Sequence, residues 1–327
     1  MGTAADWTRT LFHGAIVRIR EDLGYPVRLI QLLEQRPEIR VDLSEPKPCI
    51  EASSVTRWDR LGGQSPKLWP HLPQGTLQGR RWTGSQYQGF DLRRPEYSEI
   101  AQCTVTDGWS CDIAAVHGFS SSKSDLSRYS STEEMVETKS RYMIDEISLA
   151  KLKKNLAHRE IRILPEHGGT DYFARYQWDG RLWLMNSGGS HHFAAAQYIA
   201  RRLGHRVPLQ GRLYTYSLNA VAIGSLRRDF EMFVISSETS ISNAFFTAMQ
   251  GFRVTWLWHE MHWPFEGAKA ILLPRAEKRS MRVAAELRRS GVLDFGEHLA
   301  ALAAQRLASD APAKPDARAD VDEALTT

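Results

Sequence analysis

Residues 181–186 (Arg-Leu-Trp-Leu-Met-Asn) make a short apolar run of strand length, and Phe193, Ala196, Ala200 and Leu203 fall on one helical stripe that stops at Gly204. Between them lies Ser187-Gly188-Gly189-Ser190-His191-His192. A strand passed into a helix through two glycines has few solutions: the backbone must turn sharply, and the apolar strand and the striped helix must pack together as layers. The arrangement also has a use. Amides at the start of a helix lack partners within it, and the partial positive charge there favours an anion. Ser190 can cap the helix or give its hydroxyl to a phosphate oxygen, while His191 and His192 offer donors and, when protonated, charge. The same residues also fit a plain connection in which Ser190 is an N-cap and the histidines lie on the surface.

With 327 residues, 42% hydrophobic and 24% charged, the chain has the balance of a globular protein and can bury a sizeable core. No stretch reaches the about 18–20 apolar residues of a membrane helix, and 1–10 lack a basic segment followed by an apolar run. No membrane partner and a cytoplasmic location are therefore expected. Cys49, Cys103 and Cys111 are odd in number and form no CxxC pair, so reduced thiols are expected rather than a disulfide framework. A formal net charge of +4 permits a polyanionic partner without demanding one.

The pattern along the chain gives an α/β (α+β) fold. Trp7, Leu11, Phe12 and Ile16 lie at helical spacing, and Pro26 opens a second helix through Leu29, Ile30, Leu32 and Leu33. From 44 to 95 many glycines and prolines are interleaved with Trp58, Trp69, Trp82 and Tyr87, which reads as a long ordered excursion, either a lid or an irregular layer on the core. The Ser-rich stretch 120–132 reads as mobile. A helix is expected over 144–156, strands at 161–164, 172–176 and 230–235, a helix at 241–250, an aromatic segment at 252–263 and one long helix over 275–307. The pattern divides the chain into a helical and loop-rich region at 1–140, a compact α/β unit that begins at about 141, a strand and helical region at 226–308, and a disordered tail at 309–327, rich in Ala, Pro and Asp.

The string Asn-Ser-Gly-Gly-Ser-His-His-Phe-Ala-Ala-Ala-Gln at 186–197 resembles the signature of the ParB/sulfiredoxin superfamily. In that family a strand, a Gly-Gly-Cys-His-Arg-type turn and an Ala-rich helix bind a nucleotide's phosphates. The likeness extends to 147–156 and 161–176, so about 141–225 is covered. Ser190 stands in place of the reactive cysteine, and a neutral hydroxyl cannot form the thiol adduct of sulfinic-acid repair. His192 stands in place of the usual arginine, which replaces a bidentate fork by a shorter side chain with pH-dependent charge. Serine here is compatible with relatives that act as NTPases or as kinases of small hydroxyl substrates.

The resemblance implies a nucleotide-binding protein, an NTPase or phosphotransferase using ATP or another NTP with magnesium and a small-molecule or protein second substrate. In that reading Gly188, Gly189 and Ser190 cradle phosphate oxygens, His191 and His192 stabilise developing charge, and an upstream carboxylate activates the attacking oxygen. Glu160, Glu166 and Asp171 are the candidates, Glu166 first because it follows the 161–164 strand directly; Lys151, Lys153, Lys154 and Arg159 extend the positive field. The alternative is a non-catalytic adapter of partition or phage type that binds DNA or protein, although no helix-turn-helix supports the DNA version. His259 and His262, three apart, could supply two metal ligands on a helical face, or belong to an aromatic core with Trp256, Trp258 and Trp263.

Overall fold

The computed structural model describes residues 14–44, 47–62, 73–164 and 169–309, with side chains through 304. Among them the strands form two five-stranded sheets, so the chain is a mixed α and β protein. The first sheet runs in the order β2 (Tyr87–Arg93), β1 (Thr76–Trp82), β9 (Trp256–Glu260), β10 (Ala268–Pro274), β8 (Phe230–Ser236), with antiparallel neighbours throughout.

Its two strands of longest apolar run, Phe-Glu-Met-Phe-Val-Ile in β8 at the sheet edge and Ala-Ile-Leu-Leu in the neighbouring β10, owe their composition to burial on both faces. Successive side chains alternate between faces. Met232, Val234 and Leu272 therefore pack with Leu226, Phe295 and Leu299, while Phe233, Ile235, Ile271 and Leu273 pack with Leu29, Leu33, Phe245 and Leu287 on the other side. The helices supplying those layers are α1 (Val27–Gln35), α7 (Thr239–Gly251) and α8 (Lys278–Arg289) on one face, and α6 (Ala220–Asp229) and α9 (Phe295–Ser309) on the other.

The second sheet positions the turn. Its order is β3 (Ala101–Asp112), β7 (Pro208–Leu218), β5 (Tyr172–Tyr176), β6 (Leu182–Met185), β4 (Gly118–Phe119). The β5–β6 pair is antiparallel, and β7 lies parallel to β5. Between β6 and β7 the chain runs through α5 (Ser190–Leu203), which returns across the sheet. Phe193, Ala194, Ala195, Ala196, Ile199 and Ala200 of this helix pack on Phe173, Leu182, Leu184, Leu209 and Leu213. Four alanines let the helix approach closely, and Gly204 ends it at φ 60°, as its position after the stripe predicts. Two short helices, α3 (Thr132–Lys139) and α4 (Leu149–Leu156), flank α5.

Several sequence expectations are corrected. The 44–95 excursion is neither lid nor irregular layer along its second half: β1 and β2 form a hairpin on the edge of the first sheet, closed by a bond from the Thr83 amide to the Gln86 carbonyl. Residues 63–72 lie outside the described residues. The strand expected at 161–164 is an extended segment with one ladder-like bond, Gln210 N–H to the Ile163 carbonyl at 3.0 Å. The single helix over 275–307 is two, broken where Gly291 takes φ 72° and where the Asp294 carboxylate accepts the Glu297 amide at 2.9 Å. Strands β3, β7 and β10 were not anticipated; β3 carries an Asp-Gly interruption, with Gly108 at φ 64° in a bulge between Thr106 and Trp109.

The sheets also cut across the divisions at 141 and 226. The second sheet takes β3 and β4 from before residue 141, and the first takes β1 and β2 from the N-terminal region. Pairing of strands distant in sequence decides this, and local pattern does not report it. Helices expected at the N-terminus agree where described: 14–22 is helical, and α1 starts after Pro26 with Leu29, Leu32 and Leu33 buried. Most of the first stripe, and the tail from 310 on, lie outside the described residues.

Candidate phosphate-binding site

At the end of β6 the side chain of Asn186, 6% exposed, ties the turn to the neighbouring Ser-rich segment. Its Oδ1 accepts the Ser120 and Ser121 amides at 3.2 Å each, and its Nδ2 donates to the Ser121 carbonyl at 3.0 Å and the Gly188 carbonyl at 2.7 Å. Arg162 Nη1 donates to Ser187 Oγ at 2.6 Å. Buried Asp171 accepts the Ser187 amide; burial pushes its carboxyl above the usual range, which that bond and Arg162 oppose. The 120–132 stretch, expected to be mobile, is thus bonded into the site.

Gly189 takes φ 76° and Ser190 opens α5, so the strand–turn–helix arrangement stands as expected. Ser190 does not act as the N-cap, because it already lies inside the helix; its hydroxyl donates to Ser122 Oγ at 2.8 Å. His191 bridges two serines, Nδ1 to Ser140 Oγ at 2.6 Å and Nε2 to Ser124 Oγ at 3.1 Å. His192 Nδ1 meets Asn155 Oδ1 at 3.1 Å, and its ring stacks on His158 with centroids 3.9 Å apart. Burial first, then Lys123, lowers the His191 pKa; burial first, then His158 and His191, lowers that of His192. Burial thus favours the neutral form of both rings.

Ser122, Ser140, His158, Ser190, His191 and His192 border a cavity of about 490 Å³ that also meets Lys123, Lys139, Arg159, Glu160 and the turn from Ser187 to Gly189. Glu160 is the carboxylate beside the turn. A Cβ built on Gly188 would stand 2.8 Å from Glu160 Oε2, and one on Gly189 would stand 3.0 Å from the Glu160 carbonyl oxygen. Both glycines thus admit the 160 segment against the turn. Of the three carboxylates singled out in the sequence, Glu160 reaches the cavity, Asp171 supports the turn from beneath, and Glu166 lies outside the described residues. Lys151 is engaged elsewhere, with Asp145 at 2.7 Å.

Sequence reasoning missed Ser122, Ser124, Ser140, Asn155 and His158. The Ser-rich composition of 120–132 was the one available signal, and nothing local distinguishes a serine that meets a histidine 51 or 67 positions away. The paired histidines at 259 and 262 do not share a helical face: His259 sits on β9 and His262 follows it, with rings 5.9 Å apart. Among the described residues no group of three or more His, Cys, Asp or Glu is placed to hold a metal ion. Cys49, Cys103 and Cys111 are free, and no described helix is long and apolar enough to cross a membrane.

No curated protein and no solved structure matches the chain. One family model does, over residues 106–310, a span that opens within β3, contains the whole cavity and leaves out the β1–β2 hairpin. The chain accordingly belongs to the family of unknown function DUF6685.

Proposed function

We propose that the cavity at the start of α5 binds the phosphates of a nucleoside triphosphate, and that the protein is an NTPase or phosphotransferase of the ParB/sulfiredoxin type. One observation carries the reading: the N-terminus of a 14-residue helix opens onto a polar cavity whose rim bears Lys123, Lys139 and Arg159. Helix-start amides and the dipole favour an anion there, and the three exposed cations supply the charge that neutral His191 and His192 do not. The cavity volume lies within the range of small-molecule sites.

In this reading Gly188 and Gly189 let the backbone approach the phosphate oxygens, Ser190 and Ser122 offer hydroxyls, and His192 offers a neutral donor. Magnesium commonly takes one or two carboxylates and completes its shell with substrate phosphates and water; Glu160, the one carboxylate at the cavity among the described residues, suits that role.

Thermal shift against ATP, CTP and GTP with magnesium tests the proposal. A ligand at a hundred times its dissociation constant stabilises the fold by about 2.7 kcal/mol. One of the three should raise Tm saturably, and Lys123→Ala or Arg159→Ala should weaken that response about tenfold or less, as expected for exposed charges. If no nucleotide shifts Tm at millimolar concentration while a macromolecular partner is retained, the adapter reading replaces this one.

A further inference from the structure

His191 on the cavity wall is a base held between two hydroxyls that phosphate binding does not require. His191 has a serine on each ring nitrogen, Ser140 from the end of α3 and Ser124 from the 120–132 segment. A neutral imidazole has one N–H and one lone pair, so one serine donates to the ring and the other accepts from it. Hydroxyl donors make shorter bonds than ring N–H donors. The tautomer that suits the two lengths has the Ser140 hydroxyl donating to Nδ1 at 2.6 Å and Nε2–H donating to Ser124 at 3.1 Å. Ser140 borders the cavity together with Ser190 and the glycine turn. Ser190 itself gives its proton to another hydroxyl, Ser122, which is no base.

We infer that Ser140 is a covalent nucleophile toward phosphorus, its proton taken by His191 and the His191 ring held by Ser124. The choice of electrophile rests on the nucleotide reading above. Ser140 Oγ forms a bond to the terminal phosphorus, and the bond from that phosphorus to its bridging oxygen breaks. The nucleoside diphosphate leaves with the electron pair, and the Ser140 proton passes to His191 Nδ1. Ser124 is a positioning residue: it fixes the tautomer that leaves Nδ1 free to accept. Lys123, Lys139, His158, Arg159, Glu160 and His192 border the same cavity, and of these charges Lys123 acts on the His191 ring. The pKa of His191, lowered by burial and then by Lys123, keeps the ring available as a base at neutral pH.

Two measurements on the full chain test this. A fluorophosphonate probe presents phosphorus with fluoride as leaving group and needs no nucleotide site; peptide mapping should find it on Ser140. Ser140→Ala should abolish labelling, and His191→Gln should slow it about a hundredfold, the scale of general-base assistance. The rate should fall on acidification with a midpoint below 6.5, and Ser124→Ala should move that midpoint lower by removing the acceptor that stabilises the imidazolium. Labelling absent from Ser140, or found on Ser122 or Ser190 in the unaltered protein, overturns the inference however the variants fold. In the second measurement, ATP carrying labelled terminal phosphate should leave an acid-stable phosphoserine at Ser140. Nucleotide binding by thermal shift with no label at Ser140 sinks the inference and spares the proposed function. Fluorophosphonate labelling of Ser140 with no binding by any nucleotide does the reverse.

Discussion

At Gly189 the backbone stands at φ 76°, where an L side chain costs about 1–2 kcal/mol, and a Cβ there would face backbone of residue 160 that cannot swing aside. Gly188 differs: φ there is not positive, and the obstacle is the free end of the Glu160 side chain. Gly189→Ala should therefore lower unfolding free energy by about 1–2 kcal/mol in urea titration. Gly188→Ala should cost less than that and act mainly on ligand affinity, by displacing the Glu160 carboxylate; the reverse ranking would mean that the 160 segment is not packed as described. Titration is also argued at this scale. His117, His191, His192, His262 and His298 all have pKa values lowered, burial first in each case. The unfolded chain then binds more protons than the folded one below pH 6.5, so the stability these groups contribute is present above that value and lost as pH falls through the folded values. Tm should decline between pH 7 and 5.5, and a flat or rising profile over that window would contradict the burial of these rings.

At the scale of elements, propensity and caps explain most boundaries. Asn219 Oδ1 accepts the Val221 and Ala222 amides at 3.2 Å each and so starts α6 directly after β7. Asn219→Ala should cost about 1 kcal/mol in chemical denaturation, with Asn219→Asp largely neutral. Ser148 and Ser131 cap α4 and α3 in the same way, through the Lys151 and Glu134 amides at 3.1 Å. The strand–turn–helix of β6 and α5, strand β5 and helices α1 and α7 were legible because each carries an uninterrupted period and ends on a glycine, a proline or a cap. The break between α8 and α9 was not. Periodicity on either side of Gly291 is helical, and the arrest depends on a left-handed residue and on an Asp294 cap that the apolar pattern does not register. Strand β3 was hidden for the opposite reason: at the sheet edge, with few side chains buried, it has no need of apolar alternation.

For the whole molecule, the hairpin of β1 and β2 belongs to the sheet that does not carry the turn, and it lies outside the family match. It nevertheless covers the edge of β9, pairing Gln78 with Trp258 and Arg80 with Trp256, and Tyr87 Oη accepts Trp256 Nε1–H at 2.6 Å. Deleting 76–93 should leave β9 as an unpaired aromatic edge, and size-exclusion chromatography should show self-association; a monomeric, fully folded deletion would mean the hairpin is dispensable to the sheet. From residue order alone came the mixed class, the glycine turn between strand and helix, and the polar character of what meets it, since each follows from local period, backbone freedom and side-chain chemistry. Tertiary structure alone decided which strands share a sheet, that Glu160 borders the cavity beside the turn while Asp171 accepts the Ser187 amide, and that Ser124 and Ser140 meet opposite sides of one imidazole. Those pairings join positions far apart along the chain, and the free energy that selects them comes from burying both faces of two sheets together, which no short window of sequence contains.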